Sequence, residues 1–488
     1  MRAKQLSIGA PHALSDAALD RLCALIPWIA AAYFLLGAAL RVATPGGLEL
    51  DEAEMMVLTQ SLDWGYGPQP PLYAWLQSAV FALTGPGKPG LALLKAALLA
   101  LTVAGVWRLG LAVSGSARVA AAASVSLFLL PDFAWEAQRA LTHTTLAVAA
   151  LAWMLVAFLA ARRPGGWGAH LAFGALAGLA LVSKANAAFL VAGCFAVAFV
   201  RPGATGGRGR VFAAAALAVV IAAPPALWAA ANADAFLADA RKFDMAGSGP
   251  SQALRGLGAL IGAAAAHLAL LGVVWVALGW RSGLERETPA TRDLAWAVAF
   301  AFALVAFGVA ISGAANVKGR WLHPALFPLA AVVAARLAPR LGRGRLTALL
   351  ALGAAFAAAA TLGLQLNMRG VGGRAARQAA PFAALAPAIR DGGLAVVAGH
   401  NWVGGNLLLV DPAFVVLTPQ APRLGAPMER PDQIVWEGRV GAGPPPALTA
   451  FLEARFGADL RTGPPEALTA PYAAPAAGEL TLMRARIE

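Results

Sequence analysis

CALIPWIAAAYFLLGAALRVAT, residues 23–44, is the stretch on which the fold turns. A helix needs about 20 mostly apolar residues to cross the hydrocarbon core of a bilayer. This run has that length and carries one charge, Arg41, close to its end. A cleaved signal would have a shorter apolar core and a small-residue cleavage site. The run therefore reads as a retained first transmembrane helix behind a polar segment, residues 1–22. Working outward, ten more stretches of spanning or near-spanning length follow, at about 91–113, 118–131, 142–161, 167–182, 186–200, 211–230, 255–280, 294–313, 321–339 and 346–364. The expectation is a polytopic all-α membrane protein with about eleven spans over residues 23–364.

Composition agrees. Of 488 residues, 59% are hydrophobic and 13% charged, and mean hydropathy is +0.67. Soluble domains run at roughly 45–50% apolar and 25% charged, so too few charges remain to coat a water-facing surface. The net charge of +13 would suggest nucleic acid in a soluble protein. Here it collects in loops, with no basic stripe interleaved with aromatics, and nucleic acid is excluded as a partner. Cys23 and Cys194 both lie in apolar runs and form neither a disulfide framework nor a CxxC site.

Lys and Arg in short loops set orientation. With the N-terminus inside, the inner segments hold 16 (Arg2, Lys4, Arg118, Arg162 and Arg340 among them) and the outer segments 7, including Lys184, Arg241 and Lys318. After about residue 365 the apolar runs shrink to strand length, as in 394–398, 414–417, 434–436 and 480–483. Behind a basic, Gly-rich linker at 367–378, residues 365–488 read as a small α/β domain on the outer side.

The longest loop, about 45–90, opens with Leu50-Asp51-Glu52-Ala53-Glu54 and continues through Gly65-Tyr66-Gly67-Pro68-Gln69-Pro70-Pro71-Leu72-Tyr73-Ala74-Trp75-Leu76. Three acids in four residues are equally a solvated helix cap, and the aromatics equally an interfacial belt. Composition does not choose between these and a site.

The motifs as a set resemble bacterial glycosyltransferase family 39, the protein O-mannosyltransferase-like membrane enzymes related to lipid A aminoarabinose transferases, which share the GT-C fold. The Asp51-Glu52 pair and the Pro-Pro-Leu stretch resemble the family's first outer loop. Trp135-Glu136-Ala137-Gln138-Arg139-Ala140-Leu141-Thr142-His143 resembles its second loop. Leu181-Val182-Ser183-Lys184 and Lys318-Gly319-Arg320-Trp321-Leu322-His323-Pro324 resemble its later basic motifs. The resemblance covers about residues 20–365. It implies transfer of a sugar from a polyprenyl-phosphate donor to a hydroxyl of an envelope glycolipid, lipopolysaccharide or protein, on the outer face of the bacterial inner membrane. It also implies that Asp51 is the general base or acceptor orienter, with Glu52 expected to support it or to orient the acceptor.

Chemically, a carboxylate in reach takes the acceptor's proton, while cations or a metal stabilise the departing lipid phosphate. One base on one face and cations on the other imply inversion. Lys184, with Arg320 and Lys318, are the candidate phosphate ligands, since intramembrane charges default to functional hypotheses. Glu54, Tyr66, Gln69, Glu136 and His143 are candidate acceptor or sugar contacts. Many relatives carry an acid near Leu-Thr-Asp where this chain has Leu141-Thr142-His143. Glu136 could substitute, or His143 could be a metal ligand. No HExxH or clustered ligand spacing occurs, so a divalent metal stays an open alternative and no other cofactor is expected. The rival readings are a transporter or lipid-sugar flippase and a noncatalytic envelope-assembly relative. The long acidic-aromatic loop and the outer domain argue against transport.

The charge bias makes the topology testable. A reporter active only in the cytoplasm should be silent when fused at the C-terminus, and an active fusion there would overturn the N-in orientation.

Overall fold

The computed structural model describes residues 15–201, 207–245, 249–279, 281, 283–373 and 375–488. Arg2 and Lys4 of the charge count lie outside the described residues, as does the side chain of Arg241. The first helix, α1 (Asp16–Ala43), starts where the Ser15 hydroxyl accepts from the Ala18 N–H, with Asp16 in its first turn and Arg41 in its last. Both charges suit the helix dipole. The first loop holds two short helices, α2 (Leu50–Leu58) and α3 (Leu72–Thr84).

The bundle continues with α4 (Lys88–Ser114), α5 (Ala117–Ser126), a π-turn at Asp132–Glu136 leading into α6 (Ala137–Arg139), and α7 (Thr142–Ala161). Then come α8 (Trp167–Ser183), α9 (Ala187–Val200), α10 (Gly207–Ala231), the short α11 (Ala233–Phe236), α12 (Pro250–Gly279) and α13 (Pro289–Ser312). It closes with α14 (Gly319–Leu326), α15 (Leu329–Leu337) and α16 (Arg343–Met368).

Each predicted stretch falls on a helix. Seven are long and apolar enough to cross, and two bent pairs, 78° between Ala117–Leu129 and Asp132–Arg139 and 55° between Gly319–Leu326 and Leu329–Arg340, raise that to nine. The other two of the eleven, α8 and α9, are shorter, at 17 and 14 residues. The bends fall at Pro131 and Pro328, where the ring removes a ladder N–H and crowds the preceding turn. Outward-facing residues such as Val220, Leu227, Ile261 and Ile311 are 64–70% exposed, an apolar exterior that suits lipid. Inside, small residues let helices close up: a Cβ on Gly174 of α8 would stand 2.3 Å from the Ala214 carbonyl of α10.

Residues 395–486 build a five-stranded sheet in the order β2-β1-β3-β5-β4. Here β1 is Ala395–Ala398, β2 Val415–Leu417, β3 Gln433–Glu437, β4 Glu466–Pro471 and β5 Glu479–Arg486. β1 runs parallel to β2 and β3, and β5 antiparallel to β3 and β4. Helices α17 (Phe382–Arg390), α18 (Asn401–Val410) and α19 (Pro446–Phe456) complete the domain.

This domain shares one apolar core with the first loop, in which Ala53, Met56, Val57 and Tyr66 join Val403, Leu407 and Leu417. The contact surface is α18 against α2. Asn406 Oδ1 accepts from the Leu48 N–H at 2.7 Å, and Trp402 Nε1 donates to the Leu48 carbonyl at 2.8 Å. The Gln60 amide pairs with both polar groups of Val416, occupying the otherwise open edge of β2. The 367–378 segment is docked as well: Arg377 lies 3.7 Å from Glu49, and Gln378 is buried.

Gly405 is the tightest point, since a Cβ there would sit 2.0 Å from the Ala53 carbonyl. Gly405→Leu should cost about 1–3 kcal/mol or more by overpacking, read as a lower Tm in detergent. Gly258→Leu, where a Cβ meets open space, should melt like the parent.

Candidate active site

Helix α2 carries the three acids, and helical geometry sends them in different directions. Residues three apart share a face while neighbours do not. Asp51 and Glu54 therefore look one way and Glu52 another. Glu52 closes a capping box with Glu49 at the start of α2. It is buried, and Arg41 grips it with Nε to Oε1 at 3.2 Å and Nη2 to Oε2 at 2.8 Å. Lys95 Nζ of α4 stands 3.9 Å away. Burial works to raise the Glu52 pKa, but Arg41, Lys95 and the Glu49 N–H outweigh it and bring it down to about 2. Glu52, expected to support Asp51 or orient the acceptor, is placed with its carboxylate on Arg41 and near Lys95, where it anchors α2 on the bundle.

Asp51 faces the start of α7, where the Thr142 N–H donates to Oδ2 at 3.3 Å. The first four N–H groups of a helix lack intrahelical partners, and the dipole there favours a carboxylate. The preceding Leu141 sits at φ 56°, a left-handed conformation costing roughly 1–2 kcal/mol for a non-glycine residue. That kink separates α6 from α7 and turns the N–H toward Asp51.

Lys184 ends α8, and its Nζ donates to Thr144 Oγ1, one turn into α7, at 2.9 Å. Burial pushes its pKa below the usual lysine range. Asp51 and Glu54 pull the other way, while Arg320 and Lys242 add to the push. These charges therefore lie within electrostatic reach of one another, at one site. Asn186 Nδ2 donates to the Trp321 carbonyl at 2.7 Å, tying the start of α9 to α14 and holding Arg320 beside Lys184. Arg320 forms no ion pair of its own among the described residues. Lys318 is exposed, with Nζ 5.9 Å from the Trp321 ring centre.

The remaining candidates divide. Glu54 Oε1 accepts from Asn401 Nδ2 of α18 at 3.4 Å, so the sheet domain reaches the cleft. His143 is buried, its ring 5.7 Å from that of Tyr73. Glu136 does not join: it pairs with Arg139 at 2.8 Å, and Arg139 with Glu49 at 2.9 Å. Tyr66 is spent on folding its own loop, donating to the Ser61 carbonyl and accepting from the Asp63 N–H, and burial pushes its phenol up to about 12. Gln69 is partly exposed. Among the described residues no group of three or more His, Cys, Asp or Glu is placed to hold a metal.

Two residues escaped the sequence reading. Asn401 carries no motif. Tyr73 lies in the Pro-Pro-Leu stretch, and its buried hydroxyl has no partner. Burial, with Glu52 and Asp51 close by, holds that phenol protonated.

Comparison with known proteins agrees with this fold. Residues 68–228 match the family model described as dolichyl-phosphate-mannose-protein mannosyltransferase. The lipopolysaccharide core galacturonosyltransferase RgtA of Rhizobium johnstonii is 32% identical over 460 residues, 88% of this chain and 89% of the relative. RgtB of the same organism is 30% identical over 486 residues, 92% and 94%. The crystal structure of ArnT from Cupriavidus metallidurans bound to undecaprenyl phosphate superposes with a TM-score of 0.57 at 14% identity, over 96% of this chain and 98% of that one. The apo structure of ArnT superposes equally well. The chain belongs to the GT-C family of membrane glycosyltransferases that includes these lipopolysaccharide core enzymes. It is a multi-pass membrane glycosyltransferase, and the transporter reading falls away.

The placement of Glu52 predicts a separation of roles. Glu52→Gln leaves two buried cations without their counter-charge and should cost about 3–5 kcal/mol of stability, whereas Asp51→Asn should leave the melting temperature near that of the parent. Because the folded pKa of Glu52 lies below its ordinary 4.5, this stabilisation is complete above that value. It is lost as pH falls from there toward about 2. Acid titration of Tm in wild type and Glu52→Gln checks it: the curves should converge only in that window.

Proposed function

We propose that the protein transfers a uronic-acid sugar, galacturonic acid foremost, from a polyprenyl-phosphate donor to a hydroxyl of a lipopolysaccharide core or related envelope glycolipid. The carrying observation is the cleft that sets the Asp51 and Glu54 carboxylates of α2 against Lys184 and Arg320. The sugar and acceptor are suggested by the names of the two Rhizobium relatives, and the lipid carrier by the undecaprenyl phosphate bound to ArnT. In this reading the N-terminus is inside, and α2, the cleft and the sheet lie on the outer face of the inner membrane.

The chemistry follows from the two faces of the cleft. The acceptor oxygen attacks the anomeric carbon while Asp51 takes its proton. The bond from the anomeric carbon to the phosphate oxygen breaks, and the electron pair leaves with the lipid phosphate. Lys184 and Arg320 meet the charge that grows there, at a low-dielectric boundary where such attraction is strong. A single displacement inverts the anomeric centre. The Thr142 N–H holds Asp51 in place, and Glu52 acts at a distance by positioning α2. A uronosyl donor carries a carboxylate as well as a phosphate. Three cations within reach of one another, Lys184, Arg320 and the exposed Lys242, suit two anionic groups better than one.

Purified protein given a polyprenyl-phosphate uronosyl donor should release polyprenyl phosphate and glycosylate a core acceptor. Asp51→Asn should lower turnover by roughly a hundredfold or more. Lys184→Ala should depress both donor affinity and turnover, with Lys184→Arg rescuing only in part because a planar fork does not reproduce a compact ammonium. If Asp51→Asn turns over normally while Glu54→Gln does not, the base is Glu54. If only neutral-hexose donors react, the uronate assignment fails.

A further inference from the structure

On the face of α2 turned away from the cleft lies a second polar pocket, a cavity of about 60 Å³ between α1, α4, α6 and α16. Arg41, Glu52, Lys95, Arg139, Gln365 and Gln378 line it. Its charges do not balance. Arg139 is matched by Glu49 and Glu136, but Arg41 and Lys95 share one carboxylate, Glu52. Both cations are more than nine-tenths buried, at 8% and 6% exposure. Arg41 Nη1 and Lys95 Nζ have no hydrogen-bond partner, and neither has Gln378 Oε1. Turned over, that amide would offer an N–H instead. A buried cation with unspent donors is costly unless an anion completes it.

Part of the lining is apolar. Phe34 and Ala38 of α1 and Leu364 and Met368 of α16 form it, and Gly37 leaves open space where a Cβ would stand. Buried charge beside hydrocarbon in one pocket matches a lipid bearing a phosphate. We propose that this pocket binds the phosphate of an anionic membrane lipid through Arg41 Nη1 and Lys95 Nζ, with the lipid's chain along Phe34, Ala38, Leu364 and Met368. The site is separate from the Lys184 cleft, and the inference does not rest on the donor or acceptor assigned above. Because Arg41 also grips Glu52, the bound lipid braces the helix that carries Asp51.

The test is native mass spectrometry of the full-length protein released from micelles containing phosphatidylglycerol, phosphatidylcholine or inorganic phosphate. Wild type should retain phosphatidylglycerol in preference to phosphatidylcholine. Lys95→Met should weaken retention about tenfold or more, the scale of one charge-assisted hydrogen bond, and Lys184→Ala should leave it unchanged. Gly37→Leu, which keeps every charge and fills the apolar wall, should also displace the lipid, and it carries the test if Lys95→Met does not fold. Equal retention of phosphatidylcholine overturns the anion site. Inorganic phosphate displacing the lipid completely at equal concentration overturns the lipid assignment. Phosphatidylglycerol retained undiminished by Gly37→Leu, or by a folded Lys95→Met, overturns the location.

Discussion

The buried contact of Glu52 with Arg41 and Lys95 fixes the working end of this molecule. Exposed ion pairs are worth little, but a carboxylate taken out of water has no substitute for its partners. Arg41 comes from the end of α1, Lys95 from within α4, and Glu52 from a helix only nine residues long. So short a helix has marginal stability by itself, and its position must come from what it touches. On one side that is the ion pair, on another the apolar face of α18. Once both hold, the direction of Asp51 follows from the 100° step between successive residues.

The bundle was legible because the bilayer imposes a length. An apolar run of about 20 residues has few other uses, and every stretch read from the sequence lies on a helix. α8 and α9 fall short of that length because Lys184 and Asn186 interrupt them. The outer layer was far less legible. Its order comes from pairings between residues hundreds of positions apart, such as Gln60 with Val416 and Leu48 with Asn406, which leave no local period. The same limit governs the site. Asp51, Lys184 and Arg320 were singled out through their motifs, and the structure gathers their charges at one place, but Glu52 was grouped with Asp51 because the two are adjacent in sequence. Read on a helix, the spacing of 51, 52 and 54 already separates them.

The second loop shows how a departure from the family pattern is absorbed. Where the sequence resemblance leads one to expect an acid after Leu-Thr, this chain has His143, buried against Tyr73 of the first-loop motif. The acid nearest in sequence, Glu136, is held by Arg139 on the far side of the strained Leu141. α7 therefore brings no carboxylate of its own to the cleft. It brings a helix N-terminus, a backbone N–H for Asp51, and the Thr144 hydroxyl for Lys184. One element thus orients both the Asp51 carboxylate and the Lys184 ammonium without adding charge to either.

That division explains why the sheet domain belongs to the site. With no acid from α7, both carboxylates facing Lys184 come from α2, and α2 is positioned from two directions. The membrane bundle holds Glu52, while α18 holds Leu48 and reaches Glu54 through Asn401. Asn401 is itself fixed by Thr418, just beyond β2, and by Gln420. A shift of the sheet therefore moves Glu54 and Asp51 together, relative to a lysine anchored in the bundle. The separation of the Asp51 carboxylate from the Lys184 ammonium is set across the junction of two cores, one membrane-embedded and one containing the first loop and the sheet. An acceptor seated against the outer domain would act on that same distance.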